Sequence, residues 1–115
     1  MVMNTAERLN LAFAALADPT RRAILARLER GEASVAELAE PFGLRQPTIS
    51  KHLKVLEEAG LVTHTRDAQR RPRRLVDDAL KDVDAWLEPF RKQWEARLDN
   101  LGAYLDRTTP KPKRK

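Results

Sequence analysis

The sequence has no cysteine, only two histidines and only four glycines among its 115 residues. Without cysteine there is no disulfide framework, no thiolate nucleophile and no thiolate metal ligand, a composition that suits a reducing cytoplasm. His52 and His64 are isolated, and the chain contains neither an H-E-x-x-H motif nor a glycine-rich phosphate loop. Because catalysis needs a spaced set of reactive groups, the sequence argues against an enzyme.

The sequence also lacks a long apolar run. No stretch approaches the roughly 20 residues of a membrane span, and the start lacks the basic-then-apolar form of a signal peptide. We therefore expect no membrane association, a cytoplasmic location and, from the length, one folded domain.

Positive charge is unevenly distributed along the chain, whose net charge is +5. Residues 45–74 carry eight basic and three acidic side chains, whereas residues 75–106 carry four and eight. Residues 107–115 carry five basic and no acidic ones. Such a concentration predicts attraction of a polyanion to the 45–74 segment, although an isolated basic run can also be ordinary solvated surface.

The stretch from Gly43 to Gly60, GLRQPTISKHLKVLEEAG, predicts a helix over residues 46–59 with its entry turn and its stop. Gln46 and Pro47 suit a first helical turn, and Gly60 suits the left-handed position that ends a helix. The spacing of four and three residues predicts one buried apolar stripe. Its members are Ile49, Leu53 and Leu56.

The opposite face of this helix has short polar side chains and lysines, which suit close approach to base edges and phosphates. Its members are Pro47, Ser50, Lys51, Lys54 and Glu58, with Thr48 and Val55 on its flanks. Arg45 precedes the helix at its exposed mouth, where we expect a phosphate or base contact.

A shorter helix is predicted just before this one, from Ser34 to about Ala39. Ser34 and Glu37 form an S-x-x-E capping box, and Pro41 predicts that the helix ends early or tightens near Glu40. Gly43 permits a tight reversal into the next helix. This order is the helix-turn-helix pattern, whose second helix enters the major groove of DNA.

Residues 61–76 predict a two-stranded hairpin. Alternation from Leu61 to Arg66 predicts one strand, residues 73–76 predict its partner, and residues 67–72 connect them. Arginines cluster on or near the tip: Arg66, Arg70, Arg71, Arg73 and Arg74. A cationic hairpin beside a recognition helix is a wing, and arginines entering a minor groove are its expected DNA contacts.

Two helices are predicted before the helix-turn-helix, from Thr5 to Ala17 and from Pro19 to Arg30. Arg21 and Arg22 are expected to be surface charge or, alternatively, phosphate contacts. The first helix has a stripe formed by Leu9, Phe13 and Leu16, and the second buries Ile24, Leu25 and Leu28.

The longest predicted helix runs from Ala79 to about Asp106, with Asp77 and Asp78 as its caps. Pro89 falls inside the pattern, so we expect a kinked continuous helix or two abutting helices. Its apolar stripe comprises Leu80, Val83, Leu87, Phe90, Trp94, Leu98, Leu101 and Leu105.

One small domain has too little surface to cover that stripe, so a second copy of the chain should cover it. Coverage within one chain is the alternative. The predicted dimer interface comprises Leu9, Phe13, Leu16, Leu87, Phe90, Trp94, Leu98, Leu101 and Leu105.

The predicted fold is mainly α with a small β-hairpin: a dimeric winged helix-turn-helix of five to six helices and a two-stranded wing. Residues 1–106 form this domain. Residues 107–115 are expected to be a disordered basic tail that either strengthens DNA attraction or only solubilises the chain.

Several segments resemble the cysteine-free branch of the ArsR/SmtB family of bacterial winged-helix transcriptional regulators. They are ALADPTRRAILARL at 15–28, AELA at 36–39, QPTISKHLKVLEEAGLV at 46–62 and WLEPFRKQWEARLDNLGAYL at 86–105. The resemblance implies a homodimer, a palindromic operator and repression released by an inducer. It also implies that operator DNA is contacted by Gln46, Thr48, Ser50, Lys51 and His52.

Metal-sensing members of that family place cysteines where this chain has residues 34–38, or carboxylates and histidine on the last helix. That helix offers Asp82, Asp84 and Glu95 but no histidine, so we expect no transition-metal site and no cofactor. The signal should instead be a small-molecule or protein effector docking near Trp86, Phe90, Trp94 and Tyr104. The alternative functions are an architectural DNA-binding or protein-interaction module, or an activator working with a partner protein.

Overall fold

The computed structural model describes residues 3–65 and 72–108, which contain five helices and one antiparallel hairpin. The chain divides into two units, Met1–Val83 and Asp84–Lys115. No helix in the described ranges is long and apolar enough to cross a membrane. In chain order the elements are α1 Thr5–Leu16, α2 Pro19–Glu29, α3 Val35–Phe42, α4 Gln46–Glu58, β1 Val62–His64, β2 Arg73–Leu75 and α5 Lys81–Thr108. The predicted mainly-α class with a two-stranded hairpin is confirmed.

The core of the first unit is built by the apolar stripes of α2 and α4, as predicted. Truncating one such side chain to alanine typically costs about 2–5 kcal/mol, so these stripes fix how α2 and α4 pack. The buried members are Ile24, Leu25, Leu28, Ile49, Leu53 and Leu56.

The α1 helix contributes small side chains to that core. Ala12 and Ala15 are buried, whereas Leu9 and Leu16 are only half-buried and Phe13 is exposed. Alanine lets α1 approach α2 and α4 closely, because it has no side chain beyond Cβ. The larger side chains predicted for the dimer interface therefore remain partly accessible.

The α3 helix ends later than predicted. It continues through Pro41 to Phe42, so the expectation of an early end is wrong, while a tightened last turn at Glu40 is present. Gly43 adopts a left-handed φ of 62° and donates its N–H to the Glu40 carbonyl at 3.1 Å, and Leu44 donates to Ala39. This closure satisfies the carbonyls of Ala39 and Glu40 at the end of the helix.

The hairpin is shorter than predicted, with three residues in each strand. Val62 pairs with Leu75 and His64 with Arg73. Residues 66–71, which include the end of the predicted first strand and most of the predicted loop, lie outside the described ranges. Pro72 is not in the ladder and accepts the Thr65 N–H through its carbonyl at 3.1 Å, consistent with its predicted place in the loop.

The α5 helix is continuous through Pro89, which decides between the two predicted alternatives. It begins at Lys81 rather than Ala79, because Val76 still bonds to Leu61 and residues 77–80 form the turn that leaves the hairpin. It also extends two residues beyond the predicted end, so Arg107 and Thr108 are helical and the rest of the predicted tail lies outside the described residues.

Ion pairs support the turn of α5 that contains Pro89. The Arg91 guanidinium contacts both Asp84 and Glu88, spanning the turn in which proline lacks its amide. Asp84 raises the pKa of Arg91 above its ordinary value by accepting this hydrogen bond.

The second unit carries an apolar face along α5, which we call the α5 apolar face. The rings of Trp86 and Phe90 lie 4.9 Å apart, and Leu98 is 66 % exposed. A contiguous row of exposed large apolar side chains, unlike apolar side chains exposed singly, is typical of an interaction surface. The exposed members are Trp86, Phe90, Trp94, Leu98, Leu101, Tyr104 and Leu105.

Candidate nucleic-acid interface

The α4 helix presents the predicted polar face. Its buried stripe fixes the rotation of the helix about its axis, so the opposite side chains point away from the core. All the predicted members of this face are exposed, as are its two flanking residues and Gln46 in the first turn: Pro47, Ser50, Lys51, Lys54 and Glu58, with Thr48 and Val55 on the flanks.

The N-terminus of α4 has no side-chain cap. Arg45 occupies the cap position, but its side chain makes no capping hydrogen bond. Its carbonyl accepts the N–H groups of Thr48 and Ile49 at 3.0 and 3.2 Å. The exposed Arg45 side chain and the positive end of the helix dipole therefore meet at the mouth of the helix, an arrangement that suits a phosphate.

Both ends of α3 are set by local capping. Ser34 and Glu37 form the predicted reciprocal capping box, with bonds of 3.1 and 3.2 Å. Gly43 then reverses the chain in its left-handed conformation. This reversal joins α3 to α4 in the order of a helix-turn-helix.

His52 is half-buried and faces α2 rather than the outer surface of α4. Its Nδ1 lies 3.4 Å from Nη1 of Arg21. Arg21 also donates to the carbonyls of Ala14 and Ala15, and Arg22 donates to that of Leu16. The arginines of α2 thus bind the carboxyl end of α1, a role that neither of their predicted alternatives included.

Asp18 caps the start of α2. The backbone N–H of Arg21 donates to this carboxylate and lowers its pKa, with smaller contributions from the Thr20 N–H and the charges of His52 and Arg21, while desolvation opposes them. Because the folded-state pKa is lowered, the cap stabilises the fold above the ordinary pKa of aspartate and is lost as the pH falls through the lowered value.

The wing arginines fall into three groups. Arg74 is exposed, with its guanidinium 3.9 Å from Asp77. Arg73 points the other way, and its Nε donates to Glu57 of α4 at 2.7 Å. The remaining predicted contacts, Arg66, Arg70 and Arg71, lie outside the described residues.

Comparison with known proteins supports the helix-turn-helix assignment. A family model described as a helix-turn-helix domain matches residues 16–65. The chain is 35% identical over 82 residues to the transcriptional repressor SdpR of Bacillus subtilis, covering 71% of this chain and 91% of that protein. It is 41% identical to an ArsR family transcriptional regulator of known crystal structure, with a TM-score of 0.69 and coverage of 83% and 97%. The chain belongs to the ArsR/SmtB family of transcriptional regulators.

A further structural relative of this ArsR/SmtB chain is a winged helix-turn-helix domain from Mycobacterium bovis described as homodimeric. It is 27% identical, with a TM-score of 0.60 and coverage of 83% of this chain and 85% of that one. The winged helix-turn-helix architecture and the DNA-binding function that the sequence predicted are thus those of its family.

Two of the three carboxylates that the last helix of this ArsR/SmtB chain offers as oxygen ligands, Asp82 and Asp84, have arginine partners. Asp82 accepts Nε of Arg8 at 3.0 Å, and Asp84 pairs with Arg91. Within residues 3–65 and 72–108, no three His, Cys, Asp or Glu side chains are grouped so that they could hold a metal ion. A metal would therefore have to compete with these ion pairs for its oxygen ligands.

Sequence reasoning missed Glu57 as a functional candidate. This residue follows Leu53 by four positions, so it lies on the inward side of α4, where a carboxylate needs a cationic partner. That signal predicts an arginine nearby, but it does not say which one. The structure supplies Arg73, and His64 lies 3.9 Å from the same carboxylate.

Proposed function

We propose that this chain is a homodimeric repressor that binds a palindromic operator through α4 and its arginine wing. The observation that carries the proposal is the exposed face of short polar side chains and lysines on α4, held by a fully buried stripe within a helix-turn-helix. The proposed contacts on and before α4 are Arg45, Gln46, Thr48, Ser50, Lys51 and Lys54; His52, which the sequence predicted as a contact, is left out because it lies against Arg21 of α2. Those of the wing are Arg66, Arg70, Arg71 and Arg74.

The proposal includes no catalytic step, because DNA binding requires none and the sequence offers no cysteine and only two histidines as reactive groups. Its site of action is the cytoplasm, where a bacterial operator is located.

The proposed dimer is joined by the α5 apolar face, assisted by Leu9, Phe13 and Leu16 of α1. A second copy is the partner we favour, because a structural relative is described as homodimeric and because one self-complementary face suits a two-fold dimer. Two copies also match a palindrome, whose half-sites lie about 34 Å apart and must be met by two recognition helices.

Footprinting on the DNA upstream of the chain's own gene tests this function. A repressor should protect one palindrome and prefer it over random duplex by roughly 10³-fold or more. Equal affinity for both would favour the architectural alternative. Protection without repression of a reporter, but with stimulation by an added partner protein, would favour an activator.

The wing arginines should contribute through phosphates. Replacing Arg70, Arg71 and Arg74 by alanine should weaken binding to operator and random DNA together, and should reduce the salt slope by about one unit for each phosphate that is no longer bound. Titrations at several salt concentrations measure both quantities. Unchanged affinity at low salt would make these arginines ordinary solvated surface.

DNA release should not require a transition metal or a thiol oxidant. The last-helix carboxylates Asp82 and Asp84 are paired with arginines, and the sequence has no cysteine to oxidise. Titrating zinc, nickel or peroxide into the operator complex should therefore leave its affinity unchanged. A stoichiometric, high-affinity change with zinc or nickel would restore a metal sensor built from His52, His64 or the carboxylates.

A small-molecule or protein effector is the proposed signal. An effector that docks near Trp86, Phe90, Trp94 and Tyr104 would alter the proposed dimer interface. That interface sets the separation of the two recognition helices. A few kcal/mol of differential affinity for the two dimer geometries is enough to shift DNA binding.

A further inference from the structure

The Glu57 carboxylate faces both strands of the hairpin from the recognition helix. One oxygen accepts Nε of Arg73 on β2 at 2.7 Å, and the other lies 3.9 Å from Nδ1 of His64 on β1. The Glu57 and Arg73 side chains are only 28 % and 17 % exposed. A charge-assisted contact in such partial shelter from water holds its geometry better than a fully exposed pair.

Arg73 also joins the hairpin to the chain that leads into α3. Its N–H donates to the Ala33 carbonyl at 2.8 Å, and its carbonyl accepts the Ala33 N–H at 3.0 Å. Ala33 directly precedes Ser34, which caps α3. The Glu57–Arg73 pair therefore connects the carboxyl end of α4, the hairpin and the start of α3.

We propose that Glu57 and Arg73 are positioning residues that fix the wing relative to the recognition helix, so that both can meet the same duplex. This rests on the proposed function, in which α4 and the wing bind one operator. It assigns Arg73 a different role from the DNA contact that the sequence predicted, because its guanidinium is committed to α4. Among the described wing arginines, Arg74 keeps the role of binding DNA.

The proposal predicts that removing the Glu57 carboxylate weakens DNA binding, whereas charge repulsion alone predicts the opposite change in affinity. Removing a carboxylate near DNA normally reduces repulsion and strengthens binding or leaves it unchanged. Glu58, the exposed neighbour of Glu57, should behave in that way. Glu57 should not, because its loss releases the wing from the recognition helix.

The test compares Glu57→Gln with Glu58→Gln, two variants with the same net charge. Glu57→Gln should lower operator affinity about three- to tenfold, since the acceptor of the Arg73 hydrogen bond loses its negative charge, and should also reduce the salt slope. Glu58→Gln should bind as well as the unmodified protein or better. The thermal midpoint of Glu57→Gln should stay within about 5 °C of the original, because the pair is only partly buried.

Two further measurements separate positioning from general destabilisation. The exchanged pair Glu57→Arg with Arg73→Glu keeps the net charge and should recover most of the missing affinity, whereas Glu57→Arg alone should not. Amide hydrogen exchange should show at least about threefold weaker protection at Ala33 and Arg73 in Glu57→Gln, with protection in the middle of α2 unchanged.

Equal behaviour of the two glutamine variants, or unchanged protection at Ala33 and Arg73, would overturn the positioning role. Failure of the exchanged pair to bind better than Glu57→Arg would overturn it as well. If the unmodified protein shows no preference for a palindrome, the proposed function fails instead. The hydrogen-exchange comparison then still decides whether Glu57 holds the wing.

Discussion

Leu98→Asp should convert the protein into folded monomers and lower its operator affinity by about 10²–10⁴-fold, because the second half-site no longer binds intramolecularly. In the proposed dimer the new carboxylate would be buried in an apolar seam without a partner, which is very costly. Within one chain the same position is 66 % exposed, so the substitution should not unfold it. Sedimentation at micromolar concentration and operator titration measure the two effects.

Ala96→Asp is the matched control for this prediction. It adds the same charge to the same helix, but at 100° per residue it lies on the face opposite Trp94 and Leu98. It should therefore remain dimeric and bind the operator normally. Trp94→Asp should reproduce the effect of Leu98→Asp. Either a dimeric Leu98→Asp variant or an unmodified protein that sediments only as a 13.1 kDa species would contradict the proposed dimer.

The sequence predicted well those features that depend on neighbouring residues. The capping box at Ser34 and Glu37 and the glycine turn at Gly43 are set within one or two turns of the chain. The buried stripe of α4 follows from its spacing alone, and it determines which side chains remain outside. The polar face of the candidate site was predictable for this reason.

Features that depend on tertiary contacts were predicted less well. Alternation along β2 places Arg73 and Arg74 on opposite faces, but only packing against α4 shows that Arg73 is the inward one. Arg21 binds carbonyls of α1 because the two helices meet at Asp18 and Pro19, and no periodicity reveals that contact. The start of α5 was misplaced because Val76 is still bonded to Leu61.

The apolar face of α5 shows the limit of pattern reasoning in another way. Periodicity identified its residues, and their exposure in the described chain agrees with the prediction that one chain leaves part of this apolar stripe uncovered. Periodicity contains no information on what covers them. That choice depends on shape and symmetry, which association measurements on the dimer test directly.

Replacing Gln46 and Ser50 together by alanine should remove most of the preference for the operator. The two residues are four positions apart on the exposed side of α4, in the amino-terminal part that reaches base edges in a helix-turn-helix. A glutamine amide can pair with adenine and a serine hydroxyl with several bases, so each should contribute about 1–3 kcal/mol at the operator and little at random DNA.

The two substitutions should not disturb the fold, because both side chains are exposed and alanine has a high helix propensity. The double variant should therefore stay folded and retain its affinity for random duplex, as measured by fluorescence anisotropy on both DNAs. Lys51→Ala is the contrasting control: without a lysine that binds phosphate, affinity for operator and random DNA should fall alike, with a smaller salt slope. If the double variant also loses affinity equally on both DNAs, Gln46 and Ser50 contact the DNA backbone. Sequence recognition must then come from other side chains of the polar face of α4.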